Sequence, residues 1–339
     1  MKILGNGVSA AWHSLRNLHS GARFPIFLSY AVTFRCTHRC SYCALPPAGP
    51  ELSFEEFRPL LDGFREMGLV RLGLTGGEPL LHPDIGRIIQ RCADIGVVTV
   101  LSTNGALVKT RIDEIDRLDV ASISLDGDAE VQDDLRGRGS FRAALEAIDL
   151  LRGRGVGVVL SAVLSAGNIR HLDEVLEIAE QKGVATVWQP YFPSIGEDTP
   201  QDPNRPDAAR FHEAVSRLIS MKLRRPGRIA SSLPYLRFIR DHYPRYDTSS
   251  CLAGELFFAL SPDGQLHPCY PFVGRRDGIP VTPQTLRQVV ETFESPRCTT
   301  PCFCNGHIEN RFLLRLHPLA VFDALSSVLR FKLGAGPGG

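Results

Sequence analysis

The sequence predicts an α/β protein built on a parallel sheet. Three observations support this prediction. Apolar segments of strand length alternate with helical segments from Phe24 onward, the connections between them are short, and 339 residues suffice for one large domain and a smaller one. Right-handed crossovers would curve such a sheet into a barrel or part of one, although a doubly wound sheet would show the same local pattern.

The strands are predicted from short apolar runs, and the helices from caps, first-turn acids and apolar residues at helical spacing. The predicted strands are residues 27–33, 70–75, 97–102, 120–125, 156–164 and 184–189. The predicted helices are residues 1–23, 53–67, 84–95, 111–118, 140–152, 169–182, 207–222 and 233–242, and a last helix begins at Pro318. Ser53 and Ser140 are predicted caps, because a serine hydroxyl accepts from the free backbone N–H groups of a first turn.

These patterns divide the chain into five segments. They are a leading helix (1–23), the strand–helix repeats (24–192), a linker with two helices (193–247), a cysteine-rich region (248–310) and a closing helix with a Gly/Pro-rich tail (311–339). In the leading helix, one face carries Leu4, Val8, Ala11, Trp12, Leu15 and Leu18. We expect this face to pack on the body of the protein, with peripheral membrane contact as the less favoured alternative.

Composition excludes several classes of function. The chain has 38 Lys and Arg against 37 Asp and Glu, so no bulk charge draws it to nucleic acid. No apolar run approaches the length of a membrane span, and the N-terminus lacks the apolar run of a secretory signal. Nine cysteines without such a signal indicate the reducing cytoplasm, where thiols are free to bind metal.

Three cysteines follow the first strand at the spacing C-x3-C-x2-C, namely Cys36, Cys40 and Cys43. Three thiolates can hold three corners of a cubane iron–sulfur cluster and leave the fourth iron open for chemistry, whereas four thiolates are typical of an electron carrier. Zinc is the alternative, and it would need a fourth ligand such as His38. A disulfide framework is disfavoured in a chain of this length without a secretory signal.

Glycines and polar residues end the next strands, where function lies in a parallel α/β barrel. The second strand ends in two glycines and a glutamate, which would let backbone approach a ligand and accept from an ammonium group, although a plain turn would show the same residues. Ser122, Ser124 and Asp126 of the fourth strand alternate with apolar residues and so share one face. Polar side chains inside a barrel need partners, which a ribose would provide. Ser161 lies on the fifth strand.

A second cysteine group lies in the last third of the chain and comprises Cys251, Cys269, Cys298, Cys302 and Cys304. Between its first two members, the sequence Pro262-Asp263-Gly264 predicts a tight turn joining two short strands. A zinc ribbon is one interpretation of these thiols. Cys92, on an apolar helix face, is expected to be a buried core thiol.

The C-x3-C-x2-C loop, the Gly-Gly-Glu-Pro end of the next strand and the polar fourth strand resemble the radical S-adenosylmethionine (SAM) family. The later pattern C-x12-G-x4-C resembles the opening of the SPASM and twitch extensions, which hold auxiliary clusters in that family. The resemblance covers residues 24–304. It implies a partial (β/α)6 barrel of TIM type with a small C-terminal cysteine-rich auxiliary-cluster extension.

The same resemblance implies a [4Fe-4S] cluster on the first three cysteines, with SAM on its open iron, and one auxiliary [4Fe-4S] cluster on the later ones. The residues expected to bind SAM are Tyr42, Gly76, Gly77, Glu78, Ser102, Asn104, Ser124, Asp126 and Arg136. Among them, the two glycines and Glu78 would hold the methionine amine, Arg136 would pair with the carboxylate, and Asp126 would bind SAM or substrate. Candidate substrate contacts are Tyr191, Glu255, His267 and Tyr270, and no catalytic acid or base is assigned. Gln189 and Tyr191, at the end of the sixth strand, would face either adenine or substrate.

The resemblance further implies an enzyme that reductively cleaves SAM to a 5′-deoxyadenosyl radical, which removes hydrogen from a substrate. A donor such as flavodoxin or ferredoxin would supply the electron, and the auxiliary cluster would take one back if the reaction is a net oxidation. The substrate, a small molecule or a peptide of natural-product, peptide or cofactor biosynthesis, stays open. The rival hypotheses are a zinc- or iron–sulfur-binding scaffold and an electron-transfer protein without SAM chemistry.

Overall fold

The computed structural model describes residues 2–191, 202–245, 251–294 and 302–332, and the side chains of residues 6–326 within these ranges. Its strands are β1 (Phe27–Thr33), β2 (Arg71–Gly76), β3 (Val98–Thr103), β4 (Val120–Ser124), β5 (Gly157–Leu164), β6 (Ala185–Pro190), β7 (Phe257–Leu260), β8 (Gln265–His267) and β9 (Ile279–Pro280). Its helices are α1 (Lys2–Ser20), α2 (Phe54–Glu66), α3 (Ile85–Asp94), α4 (Val108–Arg111), α5 (Ala129–Arg136), α6 (Ser140–Gly153), α7 (Leu172–Gln181), α8 (Ala208–Arg224), α9 (Leu233–His242), α10 (Leu286–Thr292), α11 (Asn305–Leu314) and α12 (Pro318–Lys332).

Strands β1 to β6 are parallel and lie side by side in chain order, as right-handed βα units require. The sheet is not closed, because β6 and β9 are its two edges in the described chain. One face of all six strands lines a single cavity, to which each strand contributes one or more of Ser29, Gly73, Ser102, Ser122, Ser161 and Gln189. This curvature confirms the partial barrel over the doubly wound sheet.

The cysteine-rich extension continues the barrel sheet. β7 pairs in parallel with β1, and β8 and β9 follow as antiparallel strands. The predicted turn at 262–264 does join two short strands, but their pairing with the first barrel strand was not expected. Phe258 and Leu260 of β7 belong to the same buried cluster as the barrel core. The predicted division into five segments stays a prediction.

Apolar faces of the helices cover the outside of the sheet. Phe57, Leu61 and Phe64 of α2 and Ile88 of α3 are fully buried in the main core, and Cys92 is buried among them, as expected for a core thiol. Ser53 caps α2 in a reciprocal arrangement with Glu56, since each side chain bonds the other's backbone N–H. The predicted start of this helix is therefore confirmed.

Two element predictions were wrong. The helix expected at 111–118 is α4 followed by a 3₁₀ turn at Ile112–Glu114. Ser140 is the first residue of α6 and not its cap, because the cap position is Gly139 in a left-handed conformation. The carboxylate of Asp133 accepts from the Gly139 and Phe141 N–H groups at 2.7 and 2.9 Å and so serves this helix start. Asp133 belongs to α5, a helix that the sequence reading did not identify.

The leading helix α1 contacts the body of the protein through its polar face, whereas its apolar face was expected to make this contact. Val8, Trp12, Leu15 and Leu18 of the apolar face are exposed, while the polar residues Asn6, Ser14 and Asn17 are buried against the body. Asn6 donates to the Gly96 carbonyl at 2.9 Å, which no apolar residue could do. In the described chain, no helix combines the length and apolarity needed to cross a membrane.

Candidate cluster and cofactor site

The first three cysteines lie in the irregular loop that follows β1. Burial raises the pKa of the Cys40 thiol, Arg136 partly offsets this rise, and the neighbouring Cys43 and Cys36 raise the pKa further. Burial and Cys36 likewise raise the pKa of Cys43. The three sulfurs are thus close enough to oppose each other's ionisation, a cost that a bound cationic iron centre would remove. The donor set fits a cluster with one open iron.

A single metal ion requires a different arrangement. Among the described residues, no three His, Cys, Asp or Glu side chains converge on one point where a single ion could bind. In a four-iron cluster each thiolate binds a different iron, so its ligands need not converge. His38, the zinc ligand considered above, has a half-buried ring whose pKa is lowered, first by burial.

The glycines at the end of β2 serve the cysteine loop. A Cβ on Gly76, whose φ is +122°, would lie 2.1 Å from the Thr33 carbonyl oxygen, and one on Gly77 would lie 2.1 Å from that of Arg35. The absent side chains let Gly77 N–H donate to Thr33 at 2.8 Å and Glu78 N–H donate to Arg35 at 2.8 Å. The two glycines thus bring the end of β2 close to the start of the cysteine loop. Their expected approach to a ligand stays a prediction.

The Glu78 carboxylate is fully buried and is used within the protein. One oxygen accepts from the Leu80 N–H at 3.1 Å and the Thr103 hydroxyl at 2.8 Å, and the other accepts from the Asn104 N–H at 2.9 Å. Burial raises its pKa despite these three donors. This carboxylate joins the ends of β2 and β3, and its expected part in SAM binding stays a prediction.

Asn104, at the end of β3, contacts the cysteine loop directly. Its amide donates to the Thr37 hydroxyl at 3.0 Å and lies 3.9 Å from the Cys36 sulfur. Its side-chain oxygen accepts from the Ala106 N–H at 3.0 Å, which fixes the orientation of the amide. An amide donor beside a ligating sulfur is a typical outer-shell contact of a metal centre.

Asp126 and Arg136 pair with each other. The Arg136 Nε donates to an Asp126 oxygen at 2.6 Å, and the Tyr42 hydroxyl donates to the same oxygen. The second oxygen accepts from the Val163 N–H at 2.9 Å. Burial and the Asp126 charge raise the pKa of Tyr42, so its hydroxyl stays protonated. The Asp126 carboxylate ties the cysteine loop to β4 and β5, and its expected contact with SAM or substrate stays a prediction.

A chamber of about 620 Å³ fills the barrel interior. Tyr42 and Cys43 of the cysteine loop lie on its wall, and Ser102, Ser122 and Ser161 line it from three different strands. Within the described residues, these three hydroxyls make no hydrogen bond to protein. A ligand in the chamber would therefore meet both the cysteine loop and unused donors and acceptors.

Residues 30–181 match the model of the radical SAM superfamily, from within β1 to the end of α7. The chain contains a radical SAM domain. The cysteine loop, the glycine end of β2, Asn104 and the Asp126–Arg136 pair all lie within the matched range.

The chain is also similar to a curated relative in sequence and to solved structures in fold. The chain is 34% identical over 179 residues to the mycofactocin maturase MftC of Mycobacterium tuberculosis, a match covering 50% of this chain and 45% of the relative. The chain thus spans less than half the length of that curated relative. The fold resembles Streptococcus suis SuiB bound to S-adenosylmethionine, with a TM-score of 0.64 and 16% identity over 84% of this chain and 69% of that one. It also resembles anSMEcpe with bound AdoMet and Cp18Cys peptide, with a TM-score of 0.67 and 13% identity over 92% and 99%. The predicted partial-barrel fold is confirmed.

Residues that follow the radical SAM match in the chain also line the chamber. His307 and Asn310 of α11 line it, and Asn310 accepts from the Arg71 guanidinium at 2.9 Å. The guanidinium stacks 4.2 Å from the Phe27 ring centre, and burial lowers the pKa of Arg71 to about 10. The sequence reading missed these residues. The alternation Arg71-x-Gly73-x-Thr75 could have indicated that Arg71 faces the interior, but no motif indicates α11.

Only some of the candidate substrate contacts lie on the wall of the chamber. Gln189, Tyr191 and Tyr270 line the chamber. Glu255 and His267 do not: Glu255 lies in an outer cleft with Cys251 and Arg311, and His267 is buried in the β8 hairpin. Ser124, expected on SAM, is half-buried and is not part of the chamber wall.

The later cysteines form a second group against the radical SAM domain. Cys251 packs on the apolar cluster that contains the buried Cys269. Burial raises the pKa of Cys304 to about 11, and the Cys251 charge also raises it, so these two sulfurs are neighbours. Cys302 is half-buried two residues earlier, and Cys298 lies outside the described residues. Cys251, Cys269 and Cys304 fit a thiolate-bound auxiliary centre. All eight described cysteines are free of disulfides.

Proposed function

We propose that this protein is a radical SAM enzyme. Its [4Fe-4S] cluster would be bound by Cys36, Cys40 and Cys43, and SAM and substrate would share the interior chamber. The observation that carries the proposal is that Cys43 and the hydroxyls of Ser102, Ser122 and Ser161 line the same cavity. A zinc scaffold or an electron carrier has no need of such a chamber beside its metal site.

When bound, the cluster and SAM supply a 5′-deoxyadenosyl radical that removes a hydrogen atom from the substrate. The protein's own part is to bind, orient and exclude water. The serine hydroxyls would bind the polar groups of SAM, and Tyr42, held by Asp126, would lie beside the adenine. Arg136 keeps guanidinium donors beyond its Nε bond, which would serve the SAM carboxylate.

We propose a peptide as the substrate class. MftC is named a maturase, and SuiB and anSMEcpe are described in complexes with the precursor peptide SuiA and with a Cp18Cys peptide. Tyr191 and Tyr270 on the chamber wall would contact such a chain, since both rings combine an apolar body with a polar tip.

The second cysteine group would hold an auxiliary [4Fe-4S] cluster on Cys251, Cys269, Cys304 and one of Cys298 and Cys302. Such a cluster would accept an electron in a net oxidation, while a flavodoxin or ferredoxin would donate one to the first cluster. We also propose a cytoplasmic location, because thiols in that compartment stay reduced and available to bind metal.

The proposal is tested by anaerobic purification, reconstitution with iron and sulfide, and addition of SAM with a strong reductant. We expect about eight irons per chain and formation of 5′-deoxyadenosine. Replacing Cys36, Cys40 and Cys43 by alanine should remove about four irons and all 5′-deoxyadenosine, whereas Cys92→Ala, outside both groups, should change neither. Bound zinc, or iron without SAM cleavage in the wild type, would contradict the proposal.

The peptide class needs a separate experiment. The enzyme is co-expressed with each short open reading frame near its gene, and the peptides are analysed by mass spectrometry. A mass change that requires Cys43 supports a peptide substrate. If every peptide is unchanged while purified enzyme still cleaves SAM, the substrate class is wrong and the enzyme proposal stands.

A further inference from the structure

The leading helix α1 presents an apolar face to the outside. The exposed fractions are 73% for Val8, 61% for Trp12, 49% for Leu15 and 54% for Leu18. Successive positions are three or four residues apart and therefore form one continuous stripe along the helix. Four large apolar side chains in one stripe mark a contact surface, because single exposed apolar residues are common but contiguous patches are not.

Polar contacts on the opposite side hold the helix in this orientation. Asn6 donates to the carbonyls of Val70 and Gly96 at 3.3 and 2.9 Å, and Asn17 donates to that of Ala22 at 3.0 Å. Ser14 is 1% exposed. Turning the apolar stripe inward would take these buried amides away from their partners, at a cost for each unpaired group. The outward stripe is therefore built into the packing of α1.

The charges on and next to α1 indicate what kind of surface covers the apolar stripe. The first 50 residues contain no Asp or Glu, while α1 itself carries Lys2 and Arg16, and Arg23 follows it. Trp12 lies in the middle of the stripe, and tryptophan is the side chain that favours the boundary between hydrocarbon and head groups. A second apolar surface comes from α12, where Leu319, Phe322 and Leu325 are exposed.

We propose that α1 binds the surface of a membrane that contains anionic lipid, with Val8, Trp12, Leu15 and Leu18 in the head-group boundary and the basic residues at the phosphates. An amphipathic helix whose own charged residues are basic fits such a surface by both apolar burial and charge. A partner protein or a second copy of the chain is the alternative occupant, and the experiments below separate these cases. The proposal does not depend on the SAM chemistry.

The chain offers a direct optical test, because its two tryptophans differ in exposure. Trp12 is 61% exposed and Trp188 is 1% exposed, so only Trp12 can respond to a surface. We expect the emission of the full-length protein to shift to the blue when vesicles of phosphatidylglycerol and phosphatidylcholine are added. Trp12→Phe should lose the shift while still co-sedimenting with these vesicles.

A matched pair of leucine variants measures the contribution of the stripe. Leu15→Ser should lower partitioning to the mixed vesicles about tenfold or more, as loss of a buried leucine predicts. Leu223→Ser changes a leucine on α8 that is 59% exposed, against 49% for Leu15, and should leave the partitioning unchanged. High salt should weaken binding because it screens the basic residues.

Three results would overturn the proposal. The first is no co-sedimentation of the wild type with vesicles containing phosphatidylglycerol, and the second is equal loss of binding in both leucine variants. The third is a dimer in solution that Leu15→Ser dissociates while vesicles fail to bind, which would assign the stripe to a second copy of the chain.

Discussion

Replacing Asp126 by asparagine tests whether this carboxylate holds the cysteine loop. Asp126 is 1% exposed and its partner Arg136 is 8% exposed, with 2.6 Å between Nε and the carboxylate oxygen. The same group accepts from the Tyr42 hydroxyl and from the Val163 N–H. Asparagine keeps the size of the side chain but leaves the buried guanidinium without a counter-charge.

The expected loss follows from this burial. Removing one partner of a buried ion pair costs about 3–5 kcal/mol, because the other charge stays buried and uncompensated. We therefore expect Asp126→Asn to lower the free energy of unfolding by about 3–5 kcal/mol. The control is Asp149→Asn, which breaks an exposed pair with Lys182 and should cost about 1 kcal/mol or less.

Urea unfolding of the reduced, metal-free protein measures these losses, and a double-mutant cycle with Arg136→Met isolates the pair. The double variant should be more stable than the sum of the single losses predicts, since it leaves no lone buried charge. Additive losses would refute the reasoning. A normal unfolding midpoint with weakened SAM binding in Asp126→Asn would instead return Asp126 to the ligand role expected from the sequence.

Three further substitutions test single contacts. Gly77→Ala places a Cβ 2.1 Å from the Arg35 carbonyl oxygen and should lower the iron content after reconstitution severalfold. The control Gly73→Ala, whose Cβ has its nearest contact at 3.8 Å, should keep the wild-type iron content. Equal iron content in both variants would contradict this prediction. Burial raises the pKa of Glu309 from 4.5 to about 7, so its stabilisation is present below pH 4.5 and is lost as the pH rises through about 7. Urea midpoints at acid and alkaline pH should show that Glu309→Gln lacks this loss, and identical profiles would show that the carboxyl does not titrate there. Tyr270→Phe removes a 3.3 Å hydrogen bond to the end of β2 and should cost about 1 kcal/mol in urea unfolding; a loss of about 3 kcal/mol or more would mean that the ring packing changed.

The barrel was predictable from the sequence because its signals are local. All six barrel strands begin and end within a residue or two of their predicted bounds, since a buried parallel strand is a short apolar run. The pairing of β7 with β1 joins segments more than 200 residues apart in the chain and has no local signal. Helix α1 shows a further limit: periodicity revealed that one face is apolar, but it could not reveal which face contacts the body.

The sequence predicted which residues lie near the cysteine loop better than it predicted which atoms they contact. The predicted residues do lie together around the loop that carries the three cysteines. They are the glycine end of β2, Asn104 and the Asp126–Arg136 pair. Their partners could not be predicted, because a motif specifies residue types at a strand end and does not specify which neighbour uses them. Glu78 and Asp126 both suit a ligand chemically, yet each carboxylate is taken up by protein donors.

The ends of β2, β3 and β4 each direct a polar group at the cysteine loop. β2 provides the Gly77 and Glu78 N–H groups, β3 the Asn104 amide, and the segment after β4 the Asp126 carboxylate that Tyr42 bonds. A loop without regular structure is thereby fixed at several points before any iron is bound, which lowers the ordering cost of cluster assembly. These motif residues should therefore affect iron content before they affect SAM affinity. We expect SAM to use groups without protein partners, foremost the hydroxyls of the chamber serines. Removing these hydroxyls should therefore weaken SAM binding at unchanged iron content.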